Sequence, residues 1–191
     1  MERLQRLTYS VVLVYLWVMM ILLGAMMLET FMVYPNIFRN APESLAYASG
    51  FFSEASPATF FRPLGMLTWA VGIAAVALSW PVSNVRRWVA LSLLCIVADG
   101  AASMLFFWPR NTIMFVEGSA MHSAEVLRQT AEQFEQLHWL RVAFNAASAV
   151  FAFIGFVALD RWRVARGAEG ASATPVGTRR LGAASRAMPQ S

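Results

Sequence analysis

Residues 9–28, YSVVLVYLWVMMILLGAMML, form a run of twenty residues without a charge. A helix rises about 1.5 Å per residue, so such a run can cross a hydrocarbon core of roughly 30 Å. The apolar stretch continues to Tyr34, and Pro35 is the first residue expected to break it. The run is too long for the h-region of a signal peptide and no A-x-A site follows, so it reads as a retained first span. Three similar runs come after it. Residues 64–80 are uncharged, with Ser56 and Pro57 as a helix start and Pro63 as an expected kink. Residues 88–108 end at Pro109, and residues 139–159 end at Asp160 and Arg161.

The expectation is an all-α membrane four-helix bundle with spans at about 9–34, 57–80, 87–108 and 137–160. Composition agrees: of 191 residues, 58% are hydrophobic and only 14% charged, against about a quarter charged in soluble domains. The basic residues are all arginine, and their placement sets an orientation. Arg3, Arg6, Arg86, Arg87, Arg161, Arg163, Arg166, Arg179, Arg180 and Arg186 fall on one side of the spans. Arg39, Arg62, Arg110, Arg128 and Arg141 fall toward the other, among six glutamates. The positive-inside rule then puts both termini in the cytoplasm and the two longer loops outside a cell membrane. The net charge of +4 is a topology signal and not a nucleic-acid footprint. A single cysteine, Cys95, excludes an internal disulfide and a Cys-based metal cluster.

The second outer loop reads as mostly helical. Ser123 suits an N-cap, Glu125 the first turn, and neither Pro nor Gly interrupts the chain until Gly155. The fourth span is therefore expected to stand above the membrane before entering it near His138 and Trp139. In the first outer loop, residues 43–54 (ESLAYASGFFSE) read as an interfacial amphipathic piece. The bundle is expected to occupy residues 1–166. Residues 167–191, rich in Ala, Gly, Ser and Arg, read as a disordered cytoplasmic tail that can meet anionic lipid.

Polar groups inside spans are costly, so they are the candidates for function. Asp99 lies nine residues from Trp108, about 13 Å along a helix. It shares a face with Ser92, Cys95, Ala102 and Ser103. His138, Arg141, Asn145, Ser148, Ala152 and Gly155 recur at helical spacing and share another face. Glu29 lies near the outer end of the first span, with Arg141 or Arg62 as possible partners. Glu29, Arg62, Asp99 and Asn145 are the candidate ligand-binding residues. Each has a plainer reading: Asp99 as a protonated acid bonded to a neighbouring helix, His138 as an interfacial residue, Arg141 as a snorkelling cation, Asn145 as helix–helix glue. No residue set suggests a metal; Glu117 and His122 resemble a metal pair only loosely. No cofactor motif is present: no phosphate-binding glycine loop, no H-E-x-x-H, no Cys pair.

The sequence Phe107-Trp108-Pro109-Arg110-Asn111, then a helical outer segment, then Leu137-His138-Trp139-Leu140-Arg141 resembles the anthrone oxygenase-like family. These are small four-span membrane proteins whose bacterial members are mostly uncharacterised. The matching positions are Pro109 and Asn111 after the third span, His138 and Arg141 at the entry to the fourth, and the stretch from Gly24 to Pro35. The resemblance implies, for some members, cofactor-independent oxidation of an anthrone to an anthraquinone. In that role His138 would be the base, with Asn111 and Arg141 holding the oxygen anion. Three functions follow as expectations: an accessory protein without catalysis, such an oxygenase, or a subunit binding a lipid or quinone-like ligand. The partners implied are membrane lipids, a hydrophobic small molecule and a membrane protein. A filled bundle favours the first; an apolar pocket meeting Asn111, His138 and Arg141 favours the second; a groove open sideways to lipid favours the third.

Overall fold

Pro35 and Pro109 do not end the helices that contain them. In the computed structural model, which describes residues 2–172, the chain is all-α with five helices. α1 is Arg3–Ile37, α2 Glu43–Phe51, α3 Pro57–Leu78, α4 Ser83–Met121 and α5 Ala124–Ser172. All but α2 are long and apolar enough to cross a membrane.

A proline inside a helix lacks the N–H for its own bond and collides with the carbonyl four residues earlier. Those carbonyls belong to Phe31 and Leu105. Both lie in π-helical turns, Glu29–Val33 in α1 and Ser103–Phe107 in α4. Here the bonds run five residues, from Tyr34 N–H to the Glu29 carbonyl and from Trp108 N–H to the Ser103 carbonyl. The wider turn lets each helix pass its proline, so the expected breaks at Pro35 and Pro109 are replaced by bulges. Pro63 lies within α3, which is continuous around it.

The start signals at the other helices behave as read. Ser56 precedes α3 in extended conformation, and its N–H donates to Thr59 Oγ1 at 3.2 Å. Ser123 Oγ accepts from Val126 N–H at 3.4 Å at the head of α5. At 49 residues, α5 is about 73 Å long, more than twice a hydrocarbon core, so it extends the fourth span well beyond it. The helix also runs to Ser172, six residues into the expected tail; residues 173–191 lie outside the described residues.

The bundle has two cores. At the end carrying the chain termini and the α3–α4 turn, Val12, Tyr15, Met19, Ala75, Val85, Val89, Ala152 and Leu159 pack together. The helices come close there because small residues meet bulky ones. A Cβ on Gly155 would lie 2.9 Å from Val89 Cγ2 and 3.4 Å from the Val89 backbone nitrogen. Ser92 and Ser148 clasp α4 to α5. Ser92 Oγ donates to the Ser148 carbonyl at 2.7 Å, and Ser148 Oγ donates to the Ser92 carbonyl at 2.8 Å. With both hydroxyl protons committed, Tyr15 from α1 donates to Ser92 Oγ at 2.9 Å.

The second core caps the opposite end. Tyr34 and Ile37 of α1, Phe38 just after it, Leu45 and Ala48 of α2, Phe107 and Met114 of α4, and Leu127, Ala131 and Phe134 of α5 form it. α2 is thus partly packed into this cap, although its Tyr47 and Phe51 remain more than 80% exposed. Gly155→Ala is expected to lower stability by about 1–3 kcal/mol, because the Val89 backbone cannot retreat without moving α4. Thermal unfolding in detergent measures this, and an unchanged midpoint would show that the two helices have room to spare.

Candidate functional site

Between the two cores the bundle is not filled. A cavity of about 650 Å³ lies below the cap, walled by α1, α3, α4 and α5. The small-residue packing stops at its floor. Gly100 still sits tight, since a Cβ there would collide with Trp69 Cζ2, and Trp69 lines the cavity. About one turn nearer the cap along α3 from Trp69, a Cβ on Gly65 would meet nothing within 4 Å. α3 and α4 are therefore held together at Trp69 and Gly100 and stand apart above them.

Four charged side chains from four helices border this space: Glu29 of α1, Arg62 of α3, Asp99 of α4 and Arg141 of α5. Arg141 Nε donates to Asp99 Oδ1 at 3.2 Å, both side chains being nearly buried. Asn145, one turn further along α5, donates to Asp99 Oδ2 at 3.1 Å. Both carboxylate oxygens of Asp99 are thus bonded. The Arg141 guanidinium also lies over the Phe107 ring, 4.8 Å from its centroid.

Glu29 is placed by the π turn that it starts. Tyr34 is five residues on, a spacing that such a turn brings onto one face, and Tyr34 OH donates to Glu29 Oε2 at 3.1 Å. Glu29 also feels the charge of Arg141. Its second oxygen, Oε1, is buried and has no hydrogen-bond partner among the described residues. The expected link between Glu29 and Arg141 is accordingly electrostatic, while the direct partner of Arg141 is Asp99.

His138 is placed differently. It is 2% exposed and does not border the cavity. Its ring packs edge-on against Tyr34 at 4.6 Å and stacks over Phe134. Thr30 Oγ1 gives its proton to the Met26 carbonyl at 2.7 Å, so at 2.8 Å it accepts from His138 Nε2–H. That bond fixes the tautomer and leaves Nδ1 buried without a partner among the described residues. Asn145 is likewise fully buried behind the wall. Asn111 and Arg62 do line the cavity, toward the cap. Glu117 and His122 bond to each other at 2.5 Å and do not border it.

Of the seven candidates, the fold therefore brings Glu29, Arg62, Asp99, Asn111 and Arg141 to one cavity, with Asn145 directly behind Asp99 and His138 in the adjoining aromatic cap. Residues not singled out in sequence complete the walls, among them Tyr34, Trp69, Phe107 and Trp108. Met66, 72% exposed, and Met104, 42% exposed, also line it. The cavity is thus open sideways, between α3 and α4.

Removing one member of a buried ion pair strands the other. Asp99→Ala and Arg141→Ala are each expected to cost about 3–5 kcal/mol of stability. The double variant should lose less than the sum by about 0.5–3 kcal/mol, and strictly additive losses would show that the two do not act as a pair.

Comparisons with protein-family models, with curated proteins and with solved structures find no match, so the geometry of the chain itself is what bears on its function.

Proposed function

We propose that this chain is a multi-pass cell-membrane protein that binds a hydrophobic small molecule in the lateral cavity, with both termini in the cytoplasm and the capped end outside. The carrying observation is the cavity itself: about 650 Å³, within the range that houses one small ligand, largely apolar in its walls and open between two helices that face lipid. Of the three expectations raised by the sequence, a sideways-open groove favours the ligand-binding one. An accessory role without a ligand sits poorly with unfilled space beside four charged groups, since an unfilled core loses packing. The oxygenase reading needs a base on the cavity wall, and His138, the residue to which the resemblance assigns that task, lies behind it. Binding requires none of this. An apolar ligand leaves the bilayer through the gap between α3 and α4, and the polar set orients it.

The orientation rests on Arg3, Arg6, Arg86, Arg87, Arg161, Arg163 and Arg166 at the end with the α3–α4 turn, and on Trp80, Trp88 and Trp162 near the same boundary. Arg86 over Trp80 and Arg166 over Trp162, 4.5 and 4.9 Å from the ring centroids, fit side chains that share a headgroup layer.

Gly65 offers a clean test, because it lines the cavity and a Cβ there meets no neighbour within 4 Å. Purified protein in nanodiscs is expected to show saturable quenching of tryptophan emission by apolar aromatic or brominated aliphatic ligands. Gly65→Phe should abolish the saturable component with little change in the unfolding midpoint. Equal quenching in both proteins would overturn the cavity as the binding site. For orientation, a membrane-impermeant maleimide applied to intact cells should label Ser119→Cys, in the capped end, and spare Ser83→Cys, in the α3–α4 turn. The opposite pattern would invert the topology.

A further inference from the structure

We infer that the ligand is a single-chain amphiphile with an anionic head, carboxylate or phosphate, held at the capped rim of the cavity by Arg62. This rests on the cavity reading above and names the class of molecule that the cavity takes.

Polarity is graded along its length. Near the floor Leu22, Trp69 and Ile96 line the wall and the charges of Asp99 and Arg141 are matched to each other; near the rim the wall carries Ser49, Ser56, Arg62, Asn111 and Thr112. A molecule polar throughout or apolar throughout would leave one zone unsatisfied, whereas an amphiphile matches both. The volume suits one small molecule, which points to one chain.

The charge of the head follows from which groups are already matched. At depth, Arg141 is bonded to Asp99 and lies in the field of Glu29, so that cation already faces two carboxylates. Arg62 has no carboxylate partner among the described residues. Its guanidinium stacks on Trp108, 4.9 Å from the ring centroid, which positions the group across the gap from α3 to α4 while its N–H donors stay available. An anion is the ligand group that this rim complements, and the side chains of Asn111 and Thr112 can bond its remaining oxygens. From Arg62 to Trp69 is seven residues, about 10 Å along the helix, which sets the reach of the chain below the head.

The experiment compares decanoate, decyl phosphate and decanol binding to the full chain in nanodiscs at pH 8, by tryptophan quenching competition, with Arg62→Gln alongside. Arg62 is exposed and outside both cores, so the variant is expected to fold; its unfolding midpoint verifies this. At least one of the two anions should bind roughly five- to tenfold more tightly than decanol, as one charge-assisted contact at a membrane surface warrants. In Arg62→Gln the preference of the anion over decanol should close. The preferred anion then tells a fatty acid from a phosphate-headed lipid. Equal affinity for all three in the unaltered chain overturns the anionic head and leaves the cavity reading intact. A preference that survives in Arg62→Gln overturns Arg62 as its reader. Saturable binding of none of the three overturns the cavity reading and this inference together.

Discussion

The ion pair between Asp99 and Arg141 is the constraint around which the rest of the structure is arranged. Charges inside a membrane-spanning bundle are tolerated when they meet each other and when every remaining lone pair is used. Asp99 meets that condition with Arg141 on one oxygen and Asn145 on the other. Because both partners come from α5 at adjacent turns, the contact fixes the rotation and the height of α4 against α5. The Ser92–Ser148 clasp two turns away holds the same two helices in the same register. With α4 and α5 locked, the remaining freedom lies with α3, and the cavity opens along its border.

The two prolines explain the shape of that opening. Pro35 and Pro109 each force a π turn one turn earlier, and these turns sit at Glu29 and Ser103, both on the cavity wall. A π turn turns its side chains away from the positions of a regular helix. Tyr34 is thereby delivered to Glu29, five residues on, where an ordinary helix would have brought Met32 and Val33 to that face. The same wall would be smoother and the acid less well seated if either helix simply ended at its proline.

Much of this was legible in the sequence, and the parts that were not share a cause. Long uncharged runs and caps such as Ser123 report on the chain locally, so the spans and the extension of α5 could be read off them. The polar stripe at 138, 141, 145 and 148 gave one face of α5, but not which helix packs against it. Helical periodicity could not show that Pro35 and Pro109 are bypassed, because a π turn changes the period. Once the period changes, the partner of Glu29 moves from i+4 to i+5, and Tyr34 escapes notice. The same limit applies to His138. Its place on the polar stripe suggested an open site, but the aromatic residues that enclose it, Tyr34 and Phe134, lie on a different helix and in the extension of α5.

Why the space lies at one end follows from side-chain size along the helices. Toward the termini, Gly72 receives Tyr15 and Leu93, and Gly155 receives Val89, so knobs from one helix fill hollows in the next. Toward the cap, the residues that could fill the gap are drawn elsewhere: Phe107 and Phe134 pack on each other, and Trp108 carries Arg62 on its face. Gly65 stands at the level where a bulky residue would be needed and supplies none. The bundle could close this gap with a single larger side chain at that position. Its bare backbone, the Asp99–Arg141 pair and Arg62, which has no carboxylate partner among the described residues, instead border one unfilled cavity, and that is the space our proposal assigns to a ligand.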